Sequence, residues 1–292
     1  MKIWDLEREQ KELIRFIVEG RDRRRGDTKN TVESIRKEFL SGGDRALVDF
    51  ARRWDGWKNA YSLRVPPEEL TGSLSQVPAK DRAVLRGMIK NVTAFHRKQK
   101  QAKRTYSVKG LKVVEESVAL EKALVYVPGG TAPYPSSVVM GVVPARIAGV
   151  KEIFVTTPAK DGQINPYILA CCTLLGVKDV FRIGGAQAIF AFAYGTPSVP
   201  KVDIIVGPGN AFVEEAKKDV YGMVGIDMLA GPTELIVMCT KPFSADALAW
   251  DIFSQAEHDE MATVGFFSND RKQIEEVQNR IAVLLATNIR RK

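Results

Sequence analysis

The sequence has little cysteine and no long apolar run, and each absence excludes a class of protein. The three cysteines in 292 residues, Cys171, Cys172 and Cys239, form no CxxC pair and cannot all pair with one another, which excludes a disulfide scaffold. All three have apolar neighbours, which favours buried packing in a reducing cytoplasm. No uninterrupted run of about 18 apolar residues is present, so no transmembrane helix is predicted. Residues 1–7 lack the apolar core of a signal peptide.

The positive charge of the chain is confined to its first part. Residues 1–122 hold 28 Lys and Arg against 18 Asp and Glu, whereas residues 123–234 hold 8 against 9 and residues 235–292 hold 7 against 8. A basic face can bind nucleic acid, but charge runs on helices are usually solvated surface. We therefore expect no nucleic-acid and no membrane partner, with salt-sensitive binding to nucleic acid kept as an alternative.

Short apolar runs alternate with helix-like stretches between residues 123 and 234, where 14 of the 23 glycines and 10 of the 14 prolines lie. The predicted strands and helices of this part alternate in the order 123–127, 136–149, 153–157, 163–175, 180–183, 186–194, 202–206 and 210–221. This alternation is typical of βαβ units and a parallel sheet. The sequence therefore predicts an α/β fold.

Helical spacing dominates the first segment, and a strand–helix pattern returns after residue 235. Helices are predicted over 28–40, 44–54 and 80–100, with Val32, Ile35, Phe39 and Leu40 as the apolar positions of the first one. Gly42 and Gly43 are predicted to end that helix, and Asp44 to cap the next. After residue 235 we expect strands at 235–239 and 262–267 and helices at 244–258 and 270–286. The last helix carries an apolar face that must pack on something: Ile274, Val277, Ile281, Leu284 and Leu285.

Three of the four predicted strands of the middle segment end in a glycine-bearing turn. The turns are Pro128-Gly129-Gly130, Gly184-Gly185 and Gly207-Pro208-Gly209. Ligands of parallel α/β sheets bind outside the carboxyl ends of the strands. Glycine allows close approach of the backbone, and helix N-termini bind pyrophosphate. A nucleotide or phosphate site is therefore predicted, although the usual dinucleotide fingerprint is absent because Phe212 stands at its third glycine.

Polar side chains accompany these strand ends. Tyr126, Gln187, Asn210 and Thr233 combine donor and acceptor capacity, which suits contacts to a ribose or a nicotinamide amide. Asn210 is also in position to act as a helix N-cap, and the two roles are compatible.

Gln255 and His258 are three residues apart and project from the same face of a predicted helix. An imidazole nitrogen is a good zinc ligand and an amide oxygen a weaker one. Two ligands do not complete a zinc site, and interaction of His258 with the dipole at the helix C-terminus is the alternative.

Taken in order, these motifs resemble the histidinol dehydrogenase family. The motifs are YVPGGTAPYPSSVVMGVVPARIAGV (126–150), GGAQAI (184–189), VDIIVGPGNAFVEEAKKDV (202–220), IDMLAGPTE (226–234) and SQAEH (254–258). The first third of the chain agrees more loosely, through ARRWDGW (51–57).

The resemblance implies an NAD-dependent, zinc-requiring homodimer that oxidises L-histidinol to L-histidine through the aldehyde, the last step of histidine biosynthesis. It implies two Rossmann-like domains, a discontinuous one from 1–122 plus 235–292 and an NAD-binding one from 123–234. By motif, Tyr126, Gln187 and Asn210 correspond to NAD contacts.

Three further residues are assigned by the same resemblance. Thr233 corresponds to a substrate-contacting position where the family commonly has serine, and Gln255 and His258 correspond to zinc ligands that also contact substrate. The family's Glu-His catalytic pair and two further zinc ligands have no match, so no catalytic residue is assigned. We expect a C-terminally truncated chain that is inactive alone. The alternatives are an inactive NAD-binding fragment and a related zinc and NAD alcohol dehydrogenase with another substrate.

Overall fold

The computed structural model describes residues 2–59, 61–129, 134–229, 233–256 and 262–287, with side chains in all of these except 19–26. The chain divides into two compact units. One is Arg24–Ala230, and the other combines Met1–Arg23 with Gly231–Lys292. The fold is α/β, as predicted.

The elements alternate along most of the chain. The helices are α1 (Leu6–Gly42), α2 (Asp44–Trp54), α3 (Pro67–Gln76), α4 (Ala79–Arg97), α5 (Pro135–Ala148), α6 (Pro166–Leu174), α7 (Gly185–Tyr194), α8 (Ala211–Val220), α9 (Ala245–Ala256) and α10 (Arg271–Thr287). The strands are β1 (Arg104–Val108), β2 (Leu111–Glu115), β3 (Lys122–Tyr126), β4 (Glu152–Thr156), β5 (Asp179–Phe181), β6 (Ile204–Val206), β7 (Gly225–Ile226), β8 (Glu234–Cys239) and β9 (Thr263–Ser268).

A five-stranded parallel sheet organises the larger unit. Its spatial order is β5-β4-β3-β6-β7, and each neighbouring pair is parallel. The chain enters at β3, moves outward through β4 to β5, and then crosses back to β6 on the other side of β3. This is the order of a doubly wound fold, and its topological switch point lies between β3 and β6.

Alternate side chains of the central strands fill two apolar cores on the two faces of the sheet. Leu124 and Tyr126 belong to one core with side chains of α1, α2, α7 and α8. Val125 and Val127 belong to the other core with side chains of α3, α5 and α6. The strands are short and apolar on both faces because helices cover both faces.

The smaller unit has its own apolar cluster. Strands β8 and β9 pair in parallel, and α9 and α10 supply the buried side chains Leu248, Ala249, Ile252, Phe253, Val277, Ile281 and Leu284. The apolar positions predicted for the last helix are therefore mostly buried, but Leu285 remains half exposed. In the described part of the chain, no helix is both long and apolar enough to cross a membrane.

Several expectations for the helices need correction. The first helix begins at Leu6 rather than near residue 28, and Leu40 is 53% exposed instead of packed. Asp44 does not cap α2, since Gly43 occupies the N-cap position at φ +53°. The Asp44 carboxylate instead accepts hydrogen bonds from the hydroxyls of Thr196 and Ser198, a contact that only the tertiary fold creates.

Four elements were not predicted. They are helix α3, the short edge strand β7 and the antiparallel hairpin β1–β2. Every residue of the hairpin strands is exposed, so the hairpin has no buried face whose pattern would distinguish it from a loop.

A substitution at Gly141 in α5 tests how closely that helix packs on the sheet. A Cβ at this position would lie 2.5 Å from Cγ1 of Val125 on β3, whereas a Cβ at Gly87 in α4 would meet nothing. We expect Gly141→Ala to lower the free energy of unfolding by about 1–3 kcal/mol through overpacking. The matched change Gly87→Ala should raise it by about 0.5–1 kcal/mol, because alanine favours a helix. Urea unfolding measures both values, and a Gly141→Ala protein as stable as wild type would contradict this packing.

Candidate functional site

The structure places three of the predicted site residues along the carboxyl edge of the parallel sheet. Tyr126 is the last residue of β3 and is buried. Gln187 lies in the first turn of α7, directly after β5, and is also buried. Asn210 precedes α8 after β6 and is exposed. This edge includes the switch point, where such folds bind ligands.

Tyr126 connects its strand to the start of α7. Its hydroxyl oxygen accepts a hydrogen bond of 3.0 Å from the backbone N–H of Gly185. Burial raises the pKa of Tyr126 to about 12, so the phenol stays protonated at neutral pH. Gly185 has φ +65°, and a Cβ there would lie 2.6 Å from Oε1 of Gln187. Two predicted contacts therefore border the same helix N-terminus.

The glycine turns are required by close packing within the protein. Gly207 has φ +119°, and a Cβ there would lie 2.1 Å from the carbonyl oxygen of Tyr126. A Cβ at Gly184 would lie 2.3 Å from Pro158 in the turn after β4. The sequence suggested close approach of a ligand as the reason for these glycines, and the structure adds a second reason, because Tyr126 of β3 and Pro158 leave no room for a Cβ at Gly207 and Gly184.

Asn210 acts as the N-cap of α8, as predicted. Its Oδ1 accepts a hydrogen bond of 3.1 Å from the backbone N–H of Val213. The cap satisfies one of the free N–H groups at the helix start and fixes the side chain at the edge of the sheet.

An open groove of about 900 Å³ lies along α5. Ser136, Ser137 and Met140 of α5 line it, together with Gly207 and Pro208 of the turn after β6. The groove therefore reaches the switch point between β3 and β6, and its volume is that of a site for a small molecule or cofactor.

Thr157, which follows β4, is a residue that the sequence analysis did not select. It is fully buried, and its Oγ1 has no hydrogen-bond partner among the residues described by the structure. A Cβ at Gly129 would lie 3.1 Å from this hydroxyl, which places Thr157 beside the turn after β3. Burying a hydroxyl without a hydrogen-bond partner costs folding free energy. The sequence signal that could have identified Thr157 is a polar residue at the end of an apolar strand.

Asp55 is a second residue that the sequence analysis missed. Its backbone carbonyl accepts a hydrogen bond of 2.7 Å from Asp161, which lies in the loop after β4. Burial raises the pKa of its carboxyl from 3.8 to about 6, and its charge contributes to the raised pKa of Tyr126. The sequence signal was its place in the motif at 51–57.

Comparison with known proteins identifies the family. The model of the family described as histidinol dehydrogenase matches residues 19–292. The chain belongs to the histidinol dehydrogenase family. It is 45% identical over 259 residues to the histidinol dehydrogenase of Pseudomonas fluorescens, which covers 88% of this chain and 59% of that protein. It is 41% identical over 266 residues to the histidinol dehydrogenase of Chlorobaculum tepidum, covering 90% of this chain and 62% of that one.

A solved structure of the same family agrees with the fold. Histidinol dehydrogenase from Elizabethkingia anophelis superimposes with a TM-score of 0.80 at 30% identity, over 99% of this chain and 62% of that one. The chain thus spans about three fifths of the length of the histidinol dehydrogenases that it matches.

The remaining predicted site residues belong to the smaller unit. Thr233 directly precedes β8, where its carbonyl accepts a hydrogen bond from Thr263, and its side chain is exposed. Gln255 lies in the last turn of α9 and is half-buried. His258 lies outside the described residues. Within the described ranges, no three His, Cys, Asp or Glu side chains cluster as a metal site, so the zinc ligands expected for this chain stay predictions.

The raised pKa of Asp55 leads to a pH-dependent stability. The pKa of Asp55 is higher in the folded protein than in the unfolded chain, so the neutral carboxyl favours the folded state. This contribution to the free energy of unfolding is complete below pH 3.8 and is lost as the pH rises through about 6. The Asp55→Asn variant mimics the neutral acid. We expect the difference in free energy of unfolding between this variant and wild type to shift in favour of the variant by roughly 1–2 kcal/mol as the pH rises from 4.5 to 7.5. This range is discounted because the side chain is partly exposed.

Urea unfolding of both proteins at the two pH values measures this difference. A stability difference that stays constant between pH 4.5 and 7.5, or one that changes in the opposite direction, would contradict the raised pKa.

Proposed function

We propose that this chain carries the NAD-binding part of a histidinol dehydrogenase that oxidises L-histidinol to L-histidine in two NAD-dependent steps. The observation that supports this most strongly is the order of the parallel sheet, because its switch point lies between β3 and β6. Doubly wound sheets bind dinucleotides at that place, and motifs of the histidinol dehydrogenase family occupy the turns there.

The residues at this edge fit a dinucleotide. Thr157 contributes a buried hydroxyl with no partner in the described part of the chain. Helices α5 and α7 both begin at this edge, and in neither does the side chain of the N-cap residue bond to the helix. At α7 the Tyr126 hydroxyl accepts from one of these N–H groups, that of Gly185. Free N–H groups at a helix start suit a pyrophosphate. We therefore assign NAD to this edge, with Tyr126, Gln187 and Asn210 as contacts.

In this proposal the protein binds and orients the cofactor, and NAD supplies the hydride acceptor. Tyr126 stays protonated because its pKa is about 12. It therefore keeps a proton to donate while its oxygen accepts from Gly185. Gln187 and Asn210 offer amide groups, which match the donor and acceptor pattern of ribose and carboxamide.

Zinc, L-histidinol and the homodimer enter the proposal through the family resemblance. Gln255 and His258 are the proposed zinc ligands and Thr233 the proposed substrate contact. The described residues contribute one of the two ligands, Gln255, so no chemical step is derived through the metal. A cytoplasmic setting, suggested by the three cysteines without disulfide partners, belongs to the same proposal.

The NAD site predicts a measurable loss of affinity in Tyr126→Phe. Removing the hydroxyl deletes the acceptor of the Gly185 N–H and a proposed cofactor contact, and we expect the Kd for NAD to rise ~10-fold, equivalent to about 1.4 kcal/mol. Tyr106→Phe on the exposed hairpin is the control and should bind as wild type does. Isothermal titration of this chain with NAD measures all three affinities. A wild-type chain without affinity for NAD, or an unchanged Kd in Tyr126→Phe, would refute the proposed site.

The zinc ligands predict a second result. In an intact protein that also carries the family's two remaining zinc ligands, the double variant Gln255→Ala/His258→Ala should lose zinc binding, because it removes both of the ligands proposed in this chain. The control is His96→Ala, since His96 is the other histidine of the sequence, and it should retain zinc. Metal content after dialysis against zinc measures the difference, and undiminished zinc in the double variant would reject the assignment.

A further inference from the structure

A completely buried ammonium group lies beside the turn after β6. Lys217 of α8 has 0% exposure, and its Nζ donates a hydrogen bond of 3.0 Å to the carbonyl oxygen of Gly207. The same Nζ lies 2.7 Å from Oδ1 of Asp227 and 3.6 Å from Oε1 of Glu214. The buried charge is therefore paired and hydrogen-bonded, which offsets much of its desolvation cost.

Asp227 binds the backbone N–H of the same glycine, Gly207. Its Oδ2 accepts a hydrogen bond of 2.8 Å from the backbone N–H of Gly207. Lys217 and Asp227, which pair with each other, thus bind the C=O and the N–H of Gly207 at once. Gly207 has φ +119° and its Cα lies against the carbonyl of Tyr126. The pair consequently fixes the orientation of both peptide groups of a glycine that has wide conformational freedom of its own.

The contacts at Gly207 are connected to Asn210, one of the proposed cofactor contacts. Asn210 follows Gly207 by three residues and caps the helix on which Lys217 lies. Lys217 therefore connects α8 to the turn that precedes it, through the carbonyl of Gly207. Asp227 connects the same turn to the segment after β7, through the N–H of Gly207. Asp227 also lines the groove along α5, where its side chain is 30% exposed.

We propose that Lys217 and Asp227 are positioning residues for the dinucleotide. They fix the Gly207–Asn210 turn and so hold Asn210 and the groove edge in the geometry that binds the cofactor. This inference rests on the proposed NAD site. A neutral, isosteric pair often replaces a buried ion pair without loss of stability, so the positional role is separable from a contribution to stability alone.

The test uses the double variant Lys217→Met/Asp227→Asn in the full chain, with Lys218→Met as control. Lys218 is the neighbouring lysine on α8, and its side chain is 59% exposed beside Glu215. We expect the N–H groups of Gly207 and Val213 to exchange with solvent ~10-fold faster or more in the double variant, while the N–H of Val127, which bonds to Thr156, keeps its rate. The Kd for NAD should rise ~10-fold in the double variant, and Lys218→Met should match wild type in both measurements.

A second variant, Asp227→Asn alone, changes a partly exposed residue, keeps an acceptor for Gly207 and leaves Lys217 with the Glu214 carboxylate, 3.6 Å away, as its counter-charge. It guards against failure of the double variant to fold, and it should shift the exchange of the Val213 N–H and the Kd in the same direction by a smaller factor.

The outcomes separate the two proposals. Unchanged exchange at Gly207 and Val213, or faster exchange at Val127 as well, overturns the positioning role. Faster local exchange with an unchanged Kd for NAD also overturns it, because the turn would then be fixed without consequence for the cofactor. A wild-type chain that binds no NAD refutes the proposed function, and it leaves no cofactor for the pair to position.

Discussion

The ion pair between Lys217 and Asp227 is the contact on which the edge of the larger sheet depends. The pair connects α8 and the segment after β7 to Gly207, in the turn before α8. Gly207 in turn lies against the carbonyl of Tyr126, whose hydroxyl accepts from Gly185 at the start of α7. One chain of short contacts therefore joins the turns after β3, β5 and β6. Pairing and hydrogen bonding of this kind are what allow an ammonium group to be buried completely.

The two apolar cores supply the rigid base for this edge. Leu124 and Val125 are consecutive residues of β3 but face different cores, so the strand is fixed from both sides. Gly141 brings α5 within contact of Val125, and Gly184 brings the turn after β5 against Pro158. Polar groups at the strand ends, such as the hydroxyl of Thr157, are thereby held in place without being able to move toward partners elsewhere.

Much of the fold was predictable because the parallel strands are short, apolar and separated by helices of ordinary length. The strand predicted at 153–157 differs from β4 by one residue at each end, and the helix predicted at 270–286 by one residue at each end from α10. The hairpin at 104–115 escaped prediction since all its strand residues are exposed. The capping role expected for Asp44 was wrong because Thr196 and Ser198, more than 150 residues away, supply its partners.

The sequence by itself determined the α/β class, the positions of the strand ends and the candidates Tyr126, Gln187 and Asn210, since local patterns and motifs carry that information. Only the tertiary structure decided that Gly207 must be glycine, that Lys217 is buried and that Asp55 holds its proton up to about pH 6. These properties depend on the desolvation and close contact of groups distant in sequence. Helical spacing places Lys217 on the face of Val213 and Val220, but only the fold shows that its ammonium group has partners there, the Gly207 carbonyl and the Asp227 carboxylate.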